Sequence, residues 1–251
     1  MNNNSESQDI AAIVQARSGS TRLPGKIFKT LAGKPMLWHV VNRLSHSKLL
    51  DKIIIATTTM PEDDQVEQFC VENSISFYRG SVNDVLSRYY EAAKIYNARI
   101  VIRITSDCPV IDPYLIDIMM THFSNEDHID YMSNSIHRTF PRGLDTEIFT
   151  FSALEKTYNE AKLEYEHEHV TPYIYNNPKK FSIKNYANEI DLSSHRWTVD
   201  TAEDFRLIEE IYNSLYQQGK IFLFKDILQL IEERPELTKI NQDIKQKKLG
   251  E

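Results

Sequence analysis

Three cationic side chains follow the first apolar segment of the chain, in a loop that also carries two glycines and several hydroxyl residues. The cations are Arg17, Arg22 and Lys26. Backbone N–H groups in a glycine-containing turn can point inward as donors, and guanidinium groups match phosphate oxygens in bidentate pairs. Directly after a strand, this composition predicts a phosphate-binding loop rather than an ordinary solvated connection.

The spacing within this loop differs from two common phosphate-binding motifs. Gly19 to Lys26 has one residue too many between its glycines for a Walker loop, and Ile27 stands where that motif has Ser or Thr for magnesium. No G-x-G-x-x-G follows the strand, which argues against a dinucleotide site. The sequence therefore predicts a phosphate loop of another kind.

Two aspartates, Asp107 and Asp200, each follow a segment that we predict to be a strand. Two carboxylates about 4 Å apart repel by roughly 4 kcal/mol at an effective dielectric constant near 20, so their proximity requires a cation. Oxygen ligands together with a phosphate substrate suggest Mg²⁺. Taken singly, each aspartate could instead cap the helix that follows it. Taken with the basic loop, the pair favours metal binding.

Other potentially reactive residues give weaker indications. The run Glu166-His167-Glu168-His169 lacks H-E-x-x-H spacing and has no cysteine nearby, so it does not predict a zinc site. A substrate contact and a helix-surface or dimer-contact role remain open for these histidines. Neither Cys70 nor Cys108 has an obvious base partner, and no G-x-S-x-G exists, so acyl transfer through a nucleophile is not indicated.

The elements that position these residues alternate between strand and helix. Continuous apolar segments predict strands at 10–16, 53–57, 74–78 and 98–105, with helices at 36–44, 61–73 and 83–96 between them. This alternation predicts an α/β fold with an open, mostly parallel doubly wound sheet. Ligands bind beyond the carboxyl ends of such strands, so the loops at 15–26, 57–60, 79–84 and 105–112 should meet at one rim.

After residue 133 the alternation breaks down. Short strands are predicted at 130–133, 143–150, 181–186 and 195–199, and helices at 151–162, 166–175, 202–216 and 223–233. We interpret 8–133 plus 195–235 as a nucleotide-binding domain and 134–194 as a small α+β insertion for acceptor binding, dimerisation or both. The tail at 236–251 alternates in charge, which predicts a loosely docked or solvated end.

Composition narrows the possible partners and location. Hydrophobic residues make up 41% and charged residues 26% of the chain, as in soluble globular proteins. A net charge of −7 disfavours binding to a polynucleotide or an anionic membrane. We predict a cytoplasmic location, since there is no signal peptide before Ile10, no apolar run near the about 20 residues of a membrane span, and no disulfide framework.

Several longer motifs resemble those of a known protein family. A-R-S-G-S-T-R-L-P-G-K at 16–26 and L-A-G-K-P-M at 31–36 resemble the signature of 3-deoxy-manno-octulosonate and acylneuraminate cytidylyltransferases, which make CMP-activated acidic sugars. The resemblance is closer to the branch called spore coat polysaccharide biosynthesis protein F, and it covers nearly the whole chain. The motifs that carry it include R-I-T-S-D-C-P-V-I-D-P at 103–113, G-L-D-T-E-I-F at 143–149 and R-W-T-V-D-T-A-E-D-F at 196–205.

The resemblance implies a nucleotide-diphospho-sugar transferase-like fold and specific roles for the site residues. Arg17, Lys26 and Asp107 would be catalytic, and Asp107 and Asp200 would bind magnesium. Thr105 stands where the octulosonate enzymes have a glutamine, so recognition of the base or sugar should differ. The candidate nucleotide-binding residues are Gln15, Ala16, Arg17, Ser18, Gly19, Arg22, Lys26, Thr58, Arg79, Thr105 and Ser106. The candidate acceptor-binding residues are Arg142, Asp145, Glu147 and His169.

The activity implied is transfer of CMP from CTP to an acidic sugar of the nonulosonate or ulosonate type, with release of pyrophosphate. The product would serve surface polysaccharide biosynthesis, and the resemblance implies a homodimer. Two alternatives remain open from the sequence. The acceptor could be a sugar-1-phosphate or a phosphonate, or the chain could be a non-catalytic nucleotide-binding scaffold.

Overall fold

A computed structural model describes residues 9–246 of the chain. The strands are β1 (Ile10–Gln15), β2 (Thr30–Leu31), β3 (Lys34–Pro35), β4 (Lys52–Thr58), β5 (Ser76–Gly80), β6 (Ile100–Thr105), β7 (Tyr131–Ser133), β8 (Glu147–Thr150) and β9 (Ile183–Asn185). The α-helices are α1 (Met36–Leu44), α2 (Asp64–Glu72), α3 (Val85–Ile95), α4 (Pro113–Asn125), α5 (Phe151–Glu160), α6 (Glu164–His169), α7 (Pro172–Tyr175), α8 (Ala202–Leu215) and α9 (Phe224–Glu233). Short 3₁₀ helices cover Lys26–Phe28, Pro61–Asp63 and Pro235–Ile240.

Seven strands form the central sheet, in the order β5-β4-β1-β6-β8-β7-β9. Strands β5, β4, β1 and β6 are parallel, and β8 runs antiparallel to both β6 and β7. The sheet is therefore mostly parallel, as the alternation of strands and helices predicts. Because the carboxyl ends of β1, β4, β5 and β6 lie at one edge, the loops that follow them share that edge.

Both faces of the sheet are covered, which explains why its strands are continuous apolar runs. Alternate residues of β1 point to opposite sides: Ala12 and Val14 join the core with α1, α4, α8 and α9, whereas Ala11 and Ile13 join the core with α3, α5 and α7. This two-sided burial is the reason for the doubly wound arrangement. The structure confirms the predicted α/β fold class.

The second half of the chain departs from the predicted elements in two places. Residues 195–199 do not form a strand; this segment is irregular and makes one isolated bridge, between Arg142 and Arg196. The predicted helix at 166–175 is divided into α6 and α7, since Val170 adopts a φ of 72° that interrupts helical geometry. The segment 134–194, predicted to be an insertion, contributes β8 and β9 to the central sheet.

The carboxyl-terminal segment packs on the rest of the molecule. Leu237 and Asn241 are buried, and the Asn241 amide donates to Arg196 and Asp204. The expectation of a loosely docked tail therefore fails at Asn241, whereas residues 242, 243, 245 and 246 are exposed as expected. The ends predicted for the domain at residue 8 and for the tail at residue 251 lie outside the described residues. Within 9–246, no helix is both long enough and apolar enough to cross a membrane.

Candidate active site

The basic loop after β1 is closed by its own backbone. Gly25 has a left-handed φ of 64°, and its N–H donates to the Ser18 carbonyl at 3.2 Å. Glycine adopts this φ without the steric cost that other residues incur. The turn leads directly into the 3₁₀ helix that begins at Lys26. The loop therefore returns to the rim of the sheet, where the Lys26 side chain lies.

A buried carboxylate that we did not single out from the sequence anchors this loop. Asp63 accepts from the Ser18 N–H at 2.6 Å and from the Thr58 hydroxyl. Gln65 adds a 2.8 Å bond to the Ser18 hydroxyl. Asp63 thus ties the phosphate loop to the loop after β4. Two consecutive aspartates directly after the second rim loop were the sequence feature that could have indicated it.

Lys26 brings the two predicted metal-binding aspartates together. Its Nζ lies 3.1 Å from Asp107 Oδ2 and 3.0 Å from Asp200 Oδ1, and it donates to the Val199 carbonyl at 2.7 Å. Burial lowers the pKa of Lys26, but the charges of the two carboxylates outweigh it and raise the pKa overall. Burial raises the pKa of Asp107, and Lys26 together with hydrogen bonds lowers it to a net value below the usual range.

The irregular segment 195–199 places Asp200, since this aspartate does not end a strand as predicted. Trp197 N–H donates to the Arg142 carbonyl at 2.7 Å, and Val199 N–H donates to the Asp107 carbonyl at 2.8 Å. Gly143 lies so close that a Cβ there would be 2.5 Å from the Trp197 carbonyl carbon. The segment is therefore held between residue 142 and residue 107, which fixes Asp200 beside Asp107.

Asp200 has further cationic partners. Arg22 contacts its Oδ2 at 3.1 Å and Arg196 contacts the same atom at 2.8 Å. Asp204, which is fully buried, accepts from the Asp200 N–H and from Arg196. Sequence reasoning missed Arg196 and Asp204, although each stands four positions from Asp200 in R-W-T-V-D-T-A-E-D. With Lys26 and Asp107, the cluster holds three cations and three carboxylates.

The other predicted nucleotide contacts surround this cluster. Arg17 is exposed, and within residues 9–246 its guanidinium forms no hydrogen bond or ion pair. Ser106 N–H donates to the Gln15 carbonyl at 3.2 Å, and the Thr105 hydroxyl lies 3.2 Å from Cys108 Sγ. The remaining members lie on the same loops: Ala16 is buried at the end of β1, and Gly19 is exposed in the loop.

Arg79 differs from the other predicted nucleotide contacts because its guanidinium is fully engaged. It donates to the carbonyls of Thr58 and Met60 and forms ion pairs with Asp64 and Glu67. The Arg79 side chain thus connects the loop after β4 to α2.

The predicted acceptor residues divide into engaged and available groups. Glu147 is buried, and its carboxylate contacts Arg103, Tyr131 and Thr171. Arg103 also donates to Gln15 Oε1 at 3.1 Å, which links β8 to β1 through β6. Glu147 therefore belongs to an internal network that reaches the end of β1.

Arg142 is the available cation on this side. Its half-buried guanidinium makes no hydrogen bond or ion pair with the described residues, whereas Arg138 is bound to Asp145 through both carboxylate oxygens. Burial lowers the pKa of Arg142, and the charges of Arg138 and Arg196 lower it further. Burial also lowers the pKa of His169. A half-buried cation among like charges suits an anionic ligand.

The residues at the rim fit a divalent cation only in combination with a substrate. Among residues 9–246, no group of three or more His, Cys, Asp or Glu residues could hold a metal ion. Asp107 and Asp200 instead offer two carboxylates around one ammonium group. Mg²⁺ is commonly bound by one or two carboxylates plus substrate phosphates, so this donor set fits it when a nucleotide is present.

A mostly parallel α/β sheet with a basic loop and paired carboxylates at its rim is the arrangement expected of a nucleotidyltransferase. The chain matches the model of the cytidylyltransferase family over residues 11–247. It is 30% identical to the spore coat polysaccharide biosynthesis protein SpsF of Bacillus subtilis over 236 residues, which cover 91% of this chain and 96% of SpsF.

Solved structures give the same result. A cytidylyltransferase from Leptospira borgpetersenii is 37% identical, with a TM-score of 0.88 over 96% of this chain and 100% of that one. A CMP:2-keto-3-deoxy-manno-octonic acid synthetase complexed with CTP shares the fold, with a TM-score of 0.63, 16% identity, and 82% and 99% of the two chains covered. The chain belongs to the cytidylyltransferase family and is a CTP-dependent nucleotidyltransferase.

Proposed function

We propose that the protein is a magnesium-dependent cytidylyltransferase that transfers CMP from CTP to an acidic sugar of the nonulosonate or ulosonate type and releases pyrophosphate. The main structural support for this proposal is that Lys26 Nζ lies within 3.1 Å of both Asp107 and Asp200, beneath the basic loop. The name of the relative SpsF supports a role in surface polysaccharide biosynthesis.

The reaction is an in-line displacement at the α-phosphorus of CTP. A sugar hydroxyl forms the new P–O bond and loses its proton to solvent, the bond from the α-phosphorus to the bridging oxygen breaks, and pyrophosphate leaves with the electron pair. Arg17, Arg22 and Lys26 hold the phosphates and neutralise the charge that accumulates on them, so catalysis consists mainly of positioning and electrostatic stabilisation. Magnesium, when bound by Asp107 and Asp200, supplies further charge neutralisation and lowers the pKa of the attacking hydroxyl.

The acceptor lies, in this proposal, on the side of β8 where Arg142 is available. Arg142 binds the sugar carboxylate, with Asp145 and His169 as further contacts to hydroxyl groups. Gln15, Ser18, Gly19, Thr105 and Ser106 line the nucleotide side. Glu147 holds Arg103 in place from within the network described above. The working molecule is a cytoplasmic homodimer.

Mass spectrometry of products formed from CTP and a set of acidic sugars tests the proposal. The set should include sugar-1-phosphates and a phosphonate, and pyrophosphate release should be measured in parallel. We expect a CMP-linked acidic sugar and equimolar pyrophosphate. A product formed only from a sugar-1-phosphate or phosphonate would contradict the assigned acceptor class.

Asp107→Asn keeps the shape of the side chain but removes the charge that faces Lys26. We expect turnover to fall by at least about 100-fold with the fold intact, because stabilisation of developing charge is lost. Asp127→Asn, at an exposed position away from the rim, is the matched control. Near-normal turnover by Asp107→Asn would disprove the assigned role of this aspartate.

A further inference from the structure

The segment that follows the last 3₁₀ helix contacts the active site indirectly. Asn241 is 5% exposed, and its Nδ2 donates to the Arg196 carbonyl at 2.9 Å and to Asp204 Oδ1 at 2.8 Å. Five residues later, Gln246 Oε1 accepts from Arg196 Nη1 at 2.6 Å. Two residues of this segment thus bind one arginine, one through its backbone and one through its side chain.

Arg196 connects this segment to the rim. Its Nε and Nη2 donate to Asp204, and Nη2 also donates to Asp200 Oδ2 at 2.8 Å. With Nη1 on Gln246, every edge of the guanidinium is engaged, so its plane is fixed. The side chain is only 7% exposed, which leaves little room for another orientation.

The orientation of Arg196 determines that of the Asp200 carboxylate. When Oδ2 is held by Arg196 and Arg22, Oδ1 is left facing Lys26 at 3.0 Å. Asp204 accepts from the N–H groups of both Asp200 and Thr201, so the same network holds the backbone and the side chain of Asp200.

We propose that Asn241 and Gln246 are positioning residues for the reaction: through Arg196 they hold the Asp200 carboxylate in its orientation toward Lys26 and the nucleotide phosphates. The carboxyl-terminal segment 241–246 is therefore a functional part of the active site, although neither side chain contacts the substrate. The consequence for turnover depends on the proposed function, whereas the consequence for the orientation of Asp200 does not.

Variants of Gln246 test this because the residue is exposed, so its replacement leaves the core intact. Gln246→Ala removes the acceptor for Arg196 Nη1, and Gln246→Glu keeps an acceptor oxygen there. Gln218→Ala, at an exposed position whose side chain forms no hydrogen bond with the described residues, is the control. The readouts are kcat, KM for CTP, thermal unfolding, and a crystal structure of each Gln246 variant.

We expect Gln246→Ala to lower kcat about tenfold, because the Asp200 carboxylate is no longer held in its orientation, with little change in KM for CTP. The unfolding temperature should change little, since Gln246 is exposed. Gln246→Glu should retain the wild-type kcat. In the crystal structure of Gln246→Ala, the Asp200 carboxylate should lose its contact with Arg196 or with Lys26.

Equal kcat in Gln246→Ala and Gln218→Ala would overturn the proposal, as would a fall in kcat that follows a matching fall in unfolding temperature. A crystal structure of Gln246→Ala in which Asp200 keeps its contacts with both Arg196 and Lys26 would also overturn it. If the wild-type protein turns over no acidic sugar, the proposed function fails, and the orientation of Asp200 in the crystal structure still decides this inference.

Discussion

Lys26 controls the charge balance of the site at the scale of single residues. Its ammonium group is the contact shared by Asp107 and Asp200, which come from elements 93 positions apart in the sequence. The Lys26 side chain is only 12% exposed, so water screens these carboxylates poorly. Without a cation between them, their mutual repulsion would separate them, so Lys26 maintains the shape of the site in addition to the phosphate binding that we propose for it.

Lys26→Met is expected to lower the free energy of unfolding by about 2 kcal/mol in buffer containing a chelator, because two partly buried carboxylates lose their shared partner. Addition of Mg²⁺ should stabilise the variant more than the wild type, since the metal ion can replace the ammonium group. Denaturant unfolding with and without Mg²⁺ measures both effects. Lys48→Met, at an exposed position, controls for the loss of a surface charge. Equal effects of Mg²⁺ on Lys26→Met and the wild type would contradict metal binding at this pair.

A second single-residue effect concerns pH. His39 is buried, and its Nε2 donates to the Leu31 carbonyl at 2.7 Å. Burial lowers the pKa of His39, the charges of Arg43 and Lys34 lower it further, and the Leu31 bond raises it in part. With its folded-state pKa below the unfolded value of about 6.5, the unfolded chain binds the proton more readily. The resulting stability is fully present above that unfolded pKa and declines as the pH falls below it.

His39→Gln should therefore reduce the loss of unfolding free energy between about pH 7.5 and about pH 5.5, because glutamine takes up no proton. Urea unfolding at the two pH values measures this loss. His46→Gln, at an exposed position just after the same helix, is the matched control. A loss of stability in His39→Gln as large as in the wild type would show that His39 does not carry the effect.

At the scale of elements, the contact between Gly143 and the segment 195–199 determines where Asp200 lies. Gly143 has a φ of 103°, and a Cβ there would meet the backbone of Trp197 at 2.5 Å. The backbone cannot move aside without breaking the Arg142 and Asp107 contacts that hold the segment. Gly143 thus permits the close approach of the segment 195–199, and this approach fixes the position of Asp200.

Gly143→Ala is expected to lower the free energy of unfolding by at least about 3 kcal/mol, through backbone strain plus the clash with Trp197. Gly219→Ala is a matched control, since Gly219 also has a positive φ of 76°, but a Cβ added there would meet nothing within 4 Å. It should cost only about 1 kcal/mol. Chemical unfolding of both variants, with turnover measured at equal folded fraction, provides the test. Equal costs would show that the approach to Trp197 is not tight.

These elements also show how far sequence reasoning extends. The meeting of Lys26 and Asp107 could be predicted, since both lie just beyond the carboxyl ends of neighbouring parallel strands. The position of Asp200 was predicted from a strand at 195–199, but this segment is irregular in the structure. Its actual placement depends on a pairing between residues 142 and 196, which no local pattern encodes. Asp63 was missed for a related reason: the consecutive aspartates at 63 and 64 mark it as a candidate, but only the positions of the two loops show that Asp63 is buried between them.

At the scale of the whole molecule, one sheet connects the proposed nucleotide side to the proposed acceptor side. Strand β6 pairs with β1 on one side and with β8 on the other. Arg103 on β6 contacts both Gln15 of β1 and Glu147 of β8. The sequence predicts a mostly parallel sheet whose first four strands send their loops to one rim, but it predicts neither the order of the strands nor the insertion of the antiparallel strand β8 beside β6.

A homodimer that uses the segment 134–194 is the last expectation at this scale. Leu163 and Ile190 lie in this segment and are apolar yet 51% and 68% exposed. Burying such a side chain stabilises by about 2 kcal/mol, and a twofold dimer buries each residue twice. Sedimentation at micromolar concentration should give about twice the chain mass of 29.3 kDa.

Leu163→Asp or Ile190→Asp should shift the sedimenting mass towards that of the monomer, because a charge is forced into the interface. Val71→Asp, at a position that is 64% exposed and outside the segment, should remain dimeric. A dimer that all three variants preserve would place the contact elsewhere, and a wild-type monomer would exclude it.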